Sequence, residues 1–248
     1  LQPLSDAGRI SLEGDILLGR LLAREKDLAP AILHLRRVCE ARPESGVARM
    51  FLGQFLADSG DLSGGEKSIR AGAELEPERS DILLALITLL VTRYPEAMVP
   101  LTVGGDTLAR REEIGELSVR ASDLIGFDTP RSSMLLGITL QGSGRLDLAA
   151  KHYATAAEDD DLHREALLNL SLVEDDLDHP DRVFDILEHL LKSYPDDPVV
   201  QNALGYSLAD RDVQLSRAEK LIRLALEQDS QNPAFLDSLG WVLYRRND

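Results

Sequence analysis

The sequence predicts an all-α protein built from stacked pairs of helices. The first observation is a leucine followed by a small residue, a motif whose small residues are Gly19, Gly53, Gly137, Ser171, Gly205 and Gly240. Consecutive members lie 34 or 35 residues apart, except for one interval of 84 residues. The second observation is that apolar residues between them follow the helical spacing, with no alternating run of strand length. Self-similarity at this period is typical of helical repeat proteins.

A second helix in each repeat is predicted by the residues that follow the small pivot residue. Twelve residues after the pivot comes another small residue in most repeats, namely Ala31, Gly65, Ala149 and, after a one-residue insertion, Ala218, while Val183 fills this place once. Four residues later stands a larger apolar residue: Leu35, Ile69, Tyr153, Leu187 or Ile222. We expect the larger side chain to pack against the pivot. Prolines that cannot continue a helix end three repeats, at Pro43, Pro77 and Pro195.

The third repeat departs from this pattern. The interval of 84 residues divides into 34, which reaches Ile87, and 50. Residues 94–106 contain two prolines and a glycine pair, and a helix is predicted to follow over about 107–125. The predicted organisation is therefore repeats one to the start of three in 1–93, an irregular insertion and helix in 94–129, and repeats four to seven in 130–248, with the seventh truncated.

These spacings resemble the tetratricopeptide repeat (TPR), a helix–turn–helix unit of 34 residues. The resemblance covers roughly residues 12–93 and 130–248. It implies a right-handed superhelix, an α-solenoid of about six to seven units with an irregular third unit. It also implies that the first helices of the units line a concave groove in which a protein or peptide binds.

Composition favours some partners over others. The formal net charge of −16 disfavours nucleic acid, whose binding depends on cations that neutralise phosphates, and it disfavours an anionic membrane surface. A partner with basic or apolar segments fits better. Cys39 is the only cysteine, so no disulfide can form within the chain. No signal peptide or membrane-spanning run is present. Because the sequence lacks an initial Met and stops after a first helix, we interpret it as a piece of a longer protein.

No organised set of catalytic residues stands out. The glycines around Gly144 lack the strand and the Gly-Lys-Ser/Thr ending of a phosphate-binding loop. The histidines form no H-E-x-x-H motif, and the aspartate clusters at 159–161 and 175–178 lack the spacing of a calcium loop. We therefore predict a non-catalytic protein that uses no cofactor and no metal ion.

The candidate binding residues come from the pivots of repeats six and seven. In the phase set by the pivots, the groove positions of these repeats are Asn202, Tyr206, Asp210, Asp237, Trp241 and Tyr244, together with Ala209. The predicted set contains the only tryptophan and two of the five tyrosines, and large amphipathic aromatics are favoured anchors for a partner. The alternative is that these aromatics pack on a neighbouring repeat or on a further helix.

A narrower resemblance involves residues 202–210, 218–226 and 232–244. They look like the C-terminal half of bacterial cell-envelope TPR lipoproteins, some of which act as adaptors for a carboxyl-terminal processing protease. This resemblance implies a scaffold on the periplasmic side of the envelope, with any lipid anchor outside these residues and no membrane insertion by the chain itself. A cytoplasmic location is the alternative. The alternative function is the repeat arm of a larger enzyme, for example a glycosyltransferase.

Overall fold

The protein is all-α, as predicted. A computed structural model describes residues 11–23, 28–99, 104–125 and 129–246. In these ranges the thirteen α-helices are α1 Leu12–Leu22, α2 Ala29–Ala41, α3 Gly46–Asp58, α4 Leu62–Leu75, α5 Ser80–Arg93, α6 Gly105–Ile125, α7 Pro130–Gly142, α8 Leu146–Ala156, α9 His163–Asp176, α10 Pro180–Ser193, α11 Pro198–Asp210, α12 Leu215–Gln228 and α13 Pro233–Arg246. A 3-10 helix covers Pro95–Met98.

The chain divides into two compact units. Unit one contains the described residues up to 125 together with 142–144, and unit two contains 129–141 and 145–246. In unit one, α1 packs on α2, α3 on α4, and α5 on both α4 and α6. In unit two, α9 packs on α8 and α10, while α11, α12 and α13 pack on one another. The predicted boundaries near 93 and 129 stay predictions.

The helices begin at residues that suit a helix start. The side chains of Ser45 and Asp61 accept hydrogen bonds from backbone amides in the first turns of α3 and α4, at 3.1 and 2.8 Å. Such caps satisfy amides that have no partner inside the helix. The helices α10, α11 and α13 start with proline, whose missing N–H is not needed there. The prolines predicted to end repeats, at 43, 77 and 195, all lie in turns between helices.

The pivots lie where the two helices of a pair approach most closely. A Cβ atom built on Gly53 would lie 2.5 Å from Ile69 Cγ1, and one built on Gly205 would lie 2.7 Å from Ile222 Cγ1. On Gly137 it would lie 2.7 Å from the ring of Tyr153. Each contacting residue is the larger apolar residue that the sequence predicted for that place, and all three larger residues are buried. The assigned repeat phase is therefore confirmed in these pairs.

The turns inside the pairs share a second regular position, seven residues after the pivot. The backbone there is left-handed, with φ of 96° at Gly60 and 79° at Gly144. The same position in the next two repeats is held by Asp178 and Asp212, both with φ of 59°. Glycine adopts this conformation without strain, whereas aspartate is among the few other residues that tolerate it.

The irregular segment after α5 is held in place by polar contacts within unit one. The Arg111 guanidinium of α6 donates hydrogen bonds to the carbonyl oxygens of Ala97, at 2.8 Å, and Val99. The carboxylate of Glu66 on α4 is only 7% exposed and receives Arg70 at 2.8 Å and Arg93 at 2.5 Å. The predicted helix over 107–125 is present as α6, which begins two residues earlier. Residues 100–103 lie outside the described residues.

Candidate protein-binding groove

A groove lies between α11 and α13 in unit two. It has a volume of about 770 Å³. Its lining residues are Tyr206 and Asp210 of α11 and Leu236, Asp237, Gly240, Trp241 and Tyr244 of α13. On each helix these side chains are spaced by three, four or seven residues, so they share one face of the helix. Five of the six predicted binding residues are thus brought together in one groove.

The sixth predicted residue, Asn202, lies outside the lining. Its side chain is half-buried, and its Oδ1 atom is buried without a hydrogen-bond partner among the described residues. The prediction for Ala209 was wrong. Ala209 is fully buried in a core cluster that also contains Leu208 and Val242. The reason is that α13 packs directly on α11, so the position before Asp210 faces that helix instead of the groove.

The aromatic side of the groove is built by one turn of α13. The rings of Trp241 and Tyr244 are stacked, with centroids 5.7 Å apart and planes inclined by 26°. Tyr244 is 70% exposed, whereas Trp241 is half-buried and packs partly against the core cluster of unit two. The alternative interpretation, packing on a neighbouring repeat, is therefore correct for part of the Trp241 ring. The indole Nε1 is buried and has no acceptor among the described residues.

The other side of the groove is acidic. Burial raises the pKa of Tyr206, and the carboxylates of Asp210, Asp175 and Asp237 raise it further. Arg211 opposes this effect, but its guanidinium is paired with Asp175. Within the described part of the chain, Asp210 and Asp237 form no ion pair. The groove thus presents two uncompensated carboxylates beside exposed aromatic rings, and no basic side chain lines it.

Sequence reasoning missed two lining residues, Leu236 and Gly240. Gly240 is a pivot, and the pivots of complete pairs are covered by the second helix. No atom of the described residues lies within 4 Å of a Cβ built on Gly240, so this pivot is open. Leu236 lies four residues before it and is correspondingly exposed. The signal that could have identified both is the lack of a partner helix for α13 in the sequence given.

Unit one contains a smaller groove at equivalent repeat positions. It has a volume of about 510 Å³ and is lined by Arg20, Phe51, Gln54, Phe55 and Asp58. Arg20 and Gln54 each directly follow a pivot, as Tyr206 and Trp241 do. The lining carries one cation and one carboxylate, so this groove lacks the negative charge of the groove in unit two.

Two searches of the described residues returned nothing. In residues 11–23, 28–99, 104–125 and 129–246, no three or more His, Cys, Asp or Glu side chains are grouped so that they could hold a metal ion. No helix within these ranges combines the length and the apolar character needed to cross a membrane.

Comparison with known proteins agrees with the repeat geometry. A tetratricopeptide repeat family model matches residues 134–178. Among solved structures, YrrB, a TPR protein with an unusual peptide-binding site, superposes with a TM-score of 0.67 at 13% identity, covering 82% of this chain and 96% of that one. The chain has the TPR fold. The thirteen helices of the described ranges correspond to about six to seven TPR units.

Other relatives share the TPR fold at low identity. MamA superposes with a TM-score of 0.59 at 16% identity and covers 76% of this chain and 94% of that one. PilF of Pseudomonas aeruginosa superposes with a TM-score of 0.52 at 20% identity, covering 84% and 88%. The TPR repeat-containing protein PA4667 of Pseudomonas aeruginosa is 42% identical over 60 residues. That match spans 24% of this chain and only 10% of PA4667.

Proposed function

We propose that this chain is a non-catalytic scaffold or adaptor that binds a protein or peptide in the groove between α11 and α13. The observation that supports the proposal is the combination of exposed aromatic rings with two carboxylates that have no ion-pair partner among the described residues. Aromatic residues supply a large contact area and are enriched among binding anchors, while unpaired carboxylates favour a basic partner. The peptide-binding site of YrrB, which has the same fold, is consistent with this use.

The groove can be tested without a known partner. A random dodecapeptide library is selected on the immobilised protein, and the affinity of each enriched peptide is then measured by fluorescence anisotropy. Truncation of a central aromatic anchor typically costs at least about 2 kcal/mol, or about thirtyfold in affinity. We expect losses of this size for Tyr206→Ala and Trp241→Ala.

A matched control is Val199→Ala, which removes an exposed apolar side chain from α11 outside the groove lining. We expect this variant to bind like the parent protein. Circular dichroism checks that each variant keeps its helix content. If every enriched peptide binds the two aromatic variants and the control with the parent affinity, the proposed site is wrong.

We further propose that the full-length protein works on the periplasmic side of a bacterial envelope, as an adaptor in a protease or cell-wall enzyme complex. This proposal is supported by the resemblance of residues 202–210, 218–226 and 232–244 to envelope TPR lipoproteins. Cell fractionation of the full-length protein is the test. Recovery in the envelope fraction, together with co-purification of a carboxyl-terminal processing protease that Trp241→Ala abolishes, is expected. Recovery with the cytoplasmic proteins would contradict the location.

A further inference from the structure

The groove continues into a row of exposed apolar side chains on the first helices of unit two. The residue that directly follows the pivot is Leu172 on α9, Tyr206 on α11 and Trp241 on α13. Leu172 is 57% exposed and Tyr206 is 41% exposed, although both are large apolar or aromatic residues. Packing of the repeats does not use these faces. One position of the repeat therefore presents apolar surface on three consecutive first helices.

Negative charge is concentrated in the middle of this row. Asp175, near the C-terminal end of α9, is paired with Arg211, which leaves Asp210 and Asp237 as the carboxylates without an ion-pair partner among the described residues. Both lie close enough to Tyr206 to raise the pKa of its hydroxyl. The row thus runs from an apolar end at Leu172, through an acidic centre, to an aromatic end at Trp241.

The spacing of the helices sets the length of a ligand that follows the row. Packed helices lie about 8–10 Å apart, so two steps from α9 to α13 span roughly 20 Å. An extended chain advances about 3.3 Å per residue, so about six residues cover this distance. A segment of that length can place one side chain at each end of the row and one at the centre.

We propose that the ligand is an extended segment with an arginine between two apolar residues, and that the arginine lies against Tyr206, Asp210 and Asp237. This inference rests on the proposed function and specifies its ligand. A guanidinium fits the centre because it can stack on an aromatic ring and donate two parallel hydrogen bonds to a carboxylate, whereas an ammonium cannot do both in one plane. The Trp241 ring already accepts such a contact within the chain, since the Arg245 guanidinium lies 5.5 Å from its centroid.

The test uses peptides enriched from the random dodecapeptide library. Each arginine is replaced by citrulline, which keeps the shape and removes the charge, and separately by lysine. Affinities are measured on the parent protein and on the double variant Asp210→Asn/Asp237→Asn. Asp185→Asn is the matched control, because it removes an exposed carboxylate from α10, outside the groove.

We expect citrulline to weaken binding to the parent protein by about tenfold or more, and lysine to weaken it by a smaller factor. On the double variant, citrulline and arginine peptides should bind within about twofold of each other, because the charges that distinguish them are gone. On Asp185→Asn the full difference should persist. Leu172→Ser should weaken only those peptides that carry an apolar residue on one side of the arginine.

The outcomes separate this inference from the proposed function. If the enriched peptides lack arginine but lose affinity on Trp241→Ala, the groove binds peptides and the arginine inference is wrong. The inference also fails if citrulline weakens binding equally on the parent protein and on the double variant. If no enriched peptide responds to Tyr206→Ala or Trp241→Ala, both the inference and the proposed function are wrong.

Discussion

Gly205 and Gly240 occupy the same repeat position but have opposite surroundings, which allows the repeat packing to be tested with a single methyl group. A Cβ on Gly205 would lie 2.7 Å from Ile222 Cγ1 and 3.0 Å from the carbonyl oxygen of Ala218. At Gly240 no described atom lies within 4 Å. The two Gly→Ala changes add the same methyl group to helices, so the difference between them isolates the effect of packing.

The expected magnitudes differ in sign. In a helix, alanine is favoured over glycine by about 1 kcal/mol, and at Gly240 nothing opposes this gain. We therefore expect Gly240→Ala to raise the free energy of unfolding by up to about 1 kcal/mol. At Gly205 the overpacking cost of about 1–3 kcal/mol is set against the same gain, and one of the close contacts is a backbone oxygen that cannot rotate away. We expect a net loss of about 1–2 kcal/mol, and a larger loss for Gly205→Val.

Urea unfolding followed by circular dichroism measures both changes. The slope with denaturant must stay constant, because a changed slope would indicate loss of cooperativity between repeats, to which repeat proteins are prone. The packing argument is refuted if Gly205→Ala stabilises the protein, or if the two alanine variants shift the midpoint by the same amount in the same direction.

Three further predictions concern turns and ion pairs. Asp178→Gly should stabilise the protein by about 0.5–1 kcal/mol in urea unfolding, because its φ of 59° suits glycine better. The hydrogen bond from Arg164 lowers the pKa of Asp197 below its ordinary 3.8, so its contribution to stability is complete above about pH 4 and is lost as the pH falls through the lower folded-state pKa; Asp197→Asn should flatten stability against pH in this acid range. Glu66→Gln should cost about 2 kcal/mol in urea unfolding and Glu113→Gln less, because the Glu66 carboxylate is more deeply buried between its arginines.

The helix pairs could be predicted from the sequence because they depend on a few steric requirements that repeat. A glycine at the pivot and a large apolar residue one helix later, as in Gly53 and Ile69, leave a periodic signal. The same signal placed Tyr206 and Trp241 on the groove correctly by spacing. It failed for Ala209, because the angle at which α13 crosses α11 decides which neighbouring position is covered, and that angle depends on packing along both helices.

The same packing explains why the binding chemistry differs between repeats of one fold. The pivot and its partner are constrained by contacts of under 4 Å, so only small and large apolar residues alternate there. The residue after the pivot makes no such contact and is free to vary: it is Arg20 in the first repeat, Gln54 in the second and Tyr206 in the sixth. Relatives at 13–20% identity can therefore share the helix pairs while presenting different groove surfaces. It follows that the ligand of this chain is specified by its own groove residues, and the decisive comparison is between variants of these residues within one intact scaffold.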